Sequence, residues 1–160
     1  DCVIASSDIL QQKIPHQIQI FTGPFAPEEK IQVWQKLAEN KDNIRVNRYT
    51  RNLLSYMQKA DLSISMSGYN TTLNEMTTGV RAMILPFKGN NDQEQRIRAG
   101  KLDSLGVVKM LDESDLQPNI FAQKVIGYLA TEPNKVSFDA NGVENTAALI
   151  KDLVLDEKAA

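Results

Sequence analysis

The residues with the clearest chemical potential lie in Ser65-Met66-Ser67-Gly68-Tyr69-Asn70-Thr71-Thr72. There a β-rich run ends in small hydroxyl residues and a glycine, and a helical pattern begins. The first N–H groups of a helix have no intrahelical acceptor, and the helix dipole adds positive charge there, so such a turn attracts an anion. Gly68 would let a phosphate approach closely. The same residue types also build an N-cap and tight turn that bind nothing, and on this segment alone that plainer assignment takes precedence. On the following helix Asn70 and Asn74 are four apart on one edge, while Leu73 and Met76 take the inward stripe. Two amides so spaced hold a sugar diol by paired hydrogen bonds, or simply face solvent. Glu75 points about 100° away from Asn74 around the helix, so the two are not interchangeable.

A second stretch, Pro86-Phe87-Lys88-Gly89-Asn90-Asn91-Asp92-Gln93-Glu94-Gln95-Arg96-Ile97-Arg98-Ala99, runs from an apolar strand through a polar loop into a helix. Its first turn carries a carboxylate and an amide, Glu94 and Gln95. Acidic residues favour any helix N-terminus, and Arg96 and Arg98 a turn later read as solvated, so this stretch alone defines no site.

Other reactive types are isolated. His16 is the only histidine and has no Cys or carboxylate cluster at ligand spacing, so no metal site is expected. Cys2 is the only cysteine; it cannot form an internal disulfide, which points to a reducing, cytoplasmic compartment. Trp34 reads as core or an interface plug ahead of a sugar-stacking ring, Arg45, Arg48 and Arg51 as a solvated basic edge ahead of a second phosphate contact, and Asp112, Glu113 and Asp115 as a turn and helix entry.

The elements that must position these residues are legible as an alternation. Short β-rich runs at 17–21, 44–49, 62–66, 82–87 and 107–111 are separated by helical spacing. Several are apolar throughout, as in parallel strands covered on both faces. Pro27 starts a helix with Ile31, Trp34, Leu37 and Ala38 on one face, and others are expected over 51–59, 69–78, 92–105, 118–130 and 143–155. Val3, Ile4, Ile9 and Leu10 form an opening helix with no strand before it. The expected fold is α/β: a Rossmann-like doubly wound parallel sheet of about five strands whose first strand is missing. Ligands of such sheets bind at the carboxyl ends of the strands, at loops 22–26, 67–70 and 88–92 and at Thr50.

At 160 residues the chain makes one ordinary domain, with 42% hydrophobic and 24% charged residues. With 18 Lys and Arg against 20 Asp and Glu, a net charge of -2 argues against duplex nucleic acid as partner. No run of about 18 apolar residues crosses a membrane. The chain opens in mid-pattern without an initiator Met, as a fragment would.

Taken together, these segments resemble the carboxyl-terminal, donor-binding half of GT-B glycosyltransferases of the MurG type. The resemblance rests on Ala60-Asp61-Leu62, Ser67-Gly68-Tyr69-Asn70-Thr71, Gly79, Pro86-Phe87, Glu94-Gln95-x-x-Arg98-Ala99, Leu102 and Gly106. Thr22-Gly23-Pro24-Phe25 and Asn141-Gly142-Val143-Glu144-Asn145-Thr146-Ala147 extend it to nearly the whole chain. It implies one nucleotide-sugar-binding domain over 1–160, the carboxyl-terminal part of a two-domain protein. The amino-terminal acceptor-binding domain, with the general base and any peripheral membrane contact, would lie elsewhere.

The implied reaction is a metal-independent and cofactor-free transfer of a hexosyl group from a nucleotide sugar, a UDP-sugar above all, to an acceptor hydroxyl. Ser67, Gly68, Tyr69 and Asn70 would face the diphosphate, Thr50 the nucleobase, Asn74 the ribose, and Glu94 and Gln95 the hexose; no catalytic residue falls in this chain. Asn74 stands where the family usually has a ribose-binding Glu, and Arg98 where many relatives have Asn. The Asn74 substitution keeps open a non-catalytic nucleotide-sugar-binding module or a subunit of a split transferase. A sugar-nucleotide epimerase would want a histidine at the donor cleft, and a dinucleotide oxidoreductase a G-x-G-x-x-G after a strand. Neither is present.

Overall fold

A computed structural model of the chain describes residues 1–87, 93–134 and 141–156, with side chains in the last span described through residue 152. The alternation is realised: α1 (Cys2–Gln11), β1 (Ile18–Phe21), α2 (Glu28–Ala38), β2 (Ile44–Asn47), α3 (Leu53–Lys59), β3 (Ser63–Ser65) and α4 (Tyr69–Thr78) come first. Then follow β4 (Ala82–Ile84), α5 (Glu94–Ser104), β5 (Val108–Met110), a 3-10 turn (Glu113–Asp115), α6 (Pro118–Leu129) and α7 (Gly142–Asp156). Every strand pairing is parallel, with Ile18 opposite Ile44, Ser63 opposite Ala82 and Ala82 opposite Val108.

The strands form two ladders, β1–β2 and β3–β4–β5. In β1 the N–H of Ile18 bonds Asn43 O at 2.8 Å and that of Thr22 bonds Asn47 O at 3.0 Å, so the alternate groups of Gln19 and Phe21 point to the opposite edge. In β3, Ser63 N bonds Arg81 O at 2.8 Å and Ser65 O accepts Leu85 N at 2.9 Å, so the groups of Ile64 point away from β4. Among the described residues, each of β1 and β3 thus carries a ladder on one side. The burial follows: β4 is fully covered at Ala82, Met83 and Ile84, while Ile64 on β3 is 40% exposed.

α1 ties the ladders together. Its Ile4 packs with Ala38 and Ile44 over β1–β2, and its Leu10 with Met83, Leu111, Phe121 and Val125 over the other sheet. A second cluster of Ala82, Ile84, Ala99, Leu102 and Val108 fixes α5 against β4 and β5. α4 ends at Gly79, whose left-handed φ of 68° closes the helix with an N–H bond to Glu75 O at 3.0 Å and sends the chain into β4. The inward stripe of α4 is met in part: Met76 packs against the α5–β4–β5 cluster as expected, but Leu73 is 46% exposed and the buried positions are Thr72 and Glu75.

Candidate functional site

The Ser67 turn lies at the carboxyl end of β3. Gly68 is the N-cap of α4 and no side chain among the described residues caps that helix, so none of them engages its first-turn amides at Tyr69, Asn70 and Thr71 as a capping oxygen. The N–H of Gly68 itself donates to Met66 O at 2.8 Å. Gly68 sits at φ -66 and ψ 139, a conformation open to any residue, and a Cβ built on it meets no atom of the described residues within 4 Å. Backbone strain therefore does not require this glycine; what it provides is clear space over the helix start. Ser67 is fully buried, and its Oγ has no hydrogen-bond partner among the described residues.

α5 is brought directly onto this turn. Arg98 Nη1 donates to Ser67 O at 2.7 Å, and the guanidinium carbon stands 5.6 Å from the centroid of the Tyr69 ring. One turn earlier Glu94 forms an ion pair with Arg98 Nη2. Gln95 Oε1 accepts the N–H of Phe87 at 3.2 Å, which anchors the exit of β4. Ser67, Gly68, Tyr69 and Asn70 thus share one corner with Glu94 and Gln95, and the bridge is Arg98. A solvated role for Arg98 is corrected here. The i, i+4 spacing of Glu94 and Arg98 was the available signal, but sequence does not show the long-range bond to Ser67.

The remaining candidates are placed as follows. Asn70 is exposed and Asn74 half-buried along α4. Thr50 follows β2, and its Oγ1 accepts the N–H of Asn52 at 3.1 Å within its own turn. Loop 88–92 lies outside the described residues. Arg48 is a clamp rather than a loose basic edge: it donates to Ala26 O at 3.0 Å and pairs with Glu28, fixing the loop after β1. His16 is structural. Its Nδ1 donates to Ile14 O at 3.0 Å, so Nε2 accepts from Ser7 and Asn43, both at 2.9 Å. Trp34 packs on the Ile4 cluster and donates from Nε1 to Asp1 at 2.8 Å.

Sequence patterning turns Glu75 away from Asn74 but gives it no role. It is fully buried between α4 and β3; Ser63 Oγ donates to its Oε1 at 2.7 Å, and Oε2 has no partner among the described residues. Burial raises its carboxyl above the ordinary range, against the lowering effect of the Ser63 and Ser65 hydroxyls. Glu75 also lines a depression of about 430 Å³ with Met57, Asp61, Arg81, Glu132 and Asn134, at the amino ends of the strands. Among the described residues no group of three or more His, Cys, Asp or Glu forms a metal cage, and no helix is long and apolar enough to cross a membrane.

The chain superposes on Acinetobacter baumannii MurG with a TM-score of 0.65 at 22% identity, over 78% of this chain and 35% of that one. It superposes on the glycotransferase of kitacinnamycin with 0.62 at 15% identity, over 81% and 31%. The architecture is that of the carboxyl-terminal domain of GT-B glycosyltransferases. In sequence, the glycosyltransferase family 28 C-terminal domain matches residues 1–153, and the chain belongs to that family. Its relatives include the UDP-N-acetylglucosamine–N-acetylmuramyl-(pentapeptide) pyrophosphoryl-undecaprenol N-acetylglucosamine transferase of Haemophilus influenzae (strain PittEE), 25% identical over 145 residues, which are 87% of this chain and 39% of that protein. The enzyme of the same name from Agrobacterium fabrum is 27% identical over 143 residues, 84% and 37% of the two chains. The chain therefore spans well under half the length of these relatives.

Proposed function

We propose that this chain is the nucleotide-sugar-binding half of a metal-independent glycosyltransferase that moves a hexosyl group from a UDP-sugar to an acceptor hydroxyl, on the cytoplasmic side. The observation that carries it is the corner at Gly68: an uncapped helix start under open space, joined through Arg98 to the amide- and carboxylate-bearing start of α5. The amides of Tyr69, Asn70 and Thr71 would hold the diphosphate and stabilise it as it leaves. Asn74 takes the ribose, Thr50 the base, and Glu94 and Gln95 the hexose hydroxyls. The acceptor and the base that deprotonates it belong to an amino-terminal domain of the longer protein, so this half binds a donor weakly and does not turn it over. The one-sided ladders of β1 and β3 support a further strand of that longer protein between them.

A thermal-shift panel of UDP-, GDP-, TDP- and ADP-sugars tests this. UDP-sugars should raise the midpoint, and Asn74→Ala and Gln95→Ala should each reduce the shift. A shift by no nucleotide sugar, or one untouched by both variants, contradicts the assignment.

A further inference from the structure

The corner holds a cation fixed from two sides. Of the two arginines at the start of α5, Arg96 is exposed, while the Arg98 side chain is 21% exposed and fixed from two sides, by the Ser67 carbonyl at 2.7 Å and the Tyr69 ring. A guanidinium has five N–H donors, and the carbonyl uses one of them. Its other partner among the described residues, Glu94, is 71% exposed and lies one turn away on the same helix, a pairing that solvent screens and that breaks cheaply. The ties to Ser67 and Tyr69 position Arg98; the tie to Glu94 only neutralises it.

We propose that Arg98 is a donor-binding residue that holds the diphosphate of the nucleotide sugar, with Glu94 as its resident counter-ion. When the diphosphate arrives it displaces the Glu94 carboxylate from Arg98, and that carboxylate turns to the hydroxyls of the attached sugar. One bound anion thereby replaces another on a fixed cation, and the negative charge that grows on the departing diphosphate meets a guanidinium already in place. This rests on the function proposed above.

Amide NMR titrations of the wild-type chain and of Arg98→Gln, Arg98→Lys and Glu94→Gln with UDP and with uridine test it, with thermal midpoints confirming that each variant folds. Arg98→Gln should weaken UDP about tenfold, leave uridine unchanged and flatten the salt dependence; Arg98→Lys should restore part of the loss. Glu94→Gln should tighten UDP severalfold, which loss of a merely structural pair would not do. If Arg98→Gln binds UDP like the wild type, or weakens uridine equally, the inference is overturned while donor binding stands. If the wild-type chain binds no nucleoside diphosphate, the proposed function falls with it.

Discussion

At the carboxyl ends of β3 and β4 the polar groups sit at the surface with few internal partners: α4 begins uncapped, Gly68 leaves open space, and Tyr69 is 67% exposed. At the amino ends of the same strands the polar groups are drawn inward. Glu75 is fully buried on Ser63, Arg81 donates to Thr131 O at 2.8 Å, and Asn134 is bonded through Nδ2 to Leu105 O at 2.8 Å. One end keeps donors available for something outside the chain; the other ties these groups into the fold, although Glu75 Oε2 and Arg81 Nε stay without a partner among the described residues. Substitutions at the two ends should therefore separate binding from stability.

Gly68→Ser should have the largest effect. A serine there can cap α4 with its own Oγ and fill the open space, so stability should hold or rise by a few tenths of a kcal/mol. Donor affinity should fall by about thirtyfold, roughly 2 kcal/mol. Calorimetric titration alongside thermal melts checks both.

Gly106→Ala is the counterpart at the amino end. Gly106 has φ 69°, and a Cβ there would lie 2.5 Å from Asn134 Nδ2. The strain should cost about 1–2 kcal/mol of stability in denaturant melts, with donor affinity unchanged.

Glu75→Gln should act more gently and with a defined pH signature. The folded protein holds this proton more tightly than the unfolded chain, whose value is the ordinary 4.5. Stability contributed by the group is therefore present below that value and lost as pH rises through the raised folded value. The amide removes this slope, so the variant should gain stability at neutral pH and none in acid. Unfolding measured across pH decides it.

The smallest change is expected from Ser67→Ala. If backbone amides hold the ligand, loss of this unpartnered hydroxyl should shift stability and affinity by less than about 0.5 kcal/mol. A large loss of affinity would move the binding role from the backbone to the side chain.

Much of the fold could be read because its signals are local. The helix expected over 69–78 begins and ends as seen, with Gly79 in the left-handed cap. Strands 44–49 and 82–87 were placed correctly but are shorter, β2 ending at Asn47 and β4 at Ile84. On the inner face of α4 Met76 packs inward as expected, but Leu73 does not, because hydrophobicity alone put it there. The helix instead packs through Thr72 and Glu75 against a strand whose own inward residues include Ser63, and such polar complementarity across elements has no local trace. The corner at Gly68 was visible as two separate motifs. Their junction was not, since it depends on one arginine reaching a carbonyl 31 residues away in the chain.

The most direct test of that corner is an amide-resolved NMR titration of the chain with UDP. The N–H resonances of Tyr69, Asn70 and Thr71 should move most, with the internally bonded Gly68 N–H moving less and those around Glu75 and Arg81 staying fixed. Saturable shifts centred on the Glu75 depression, with the start of α4 unmoved, would contradict the account.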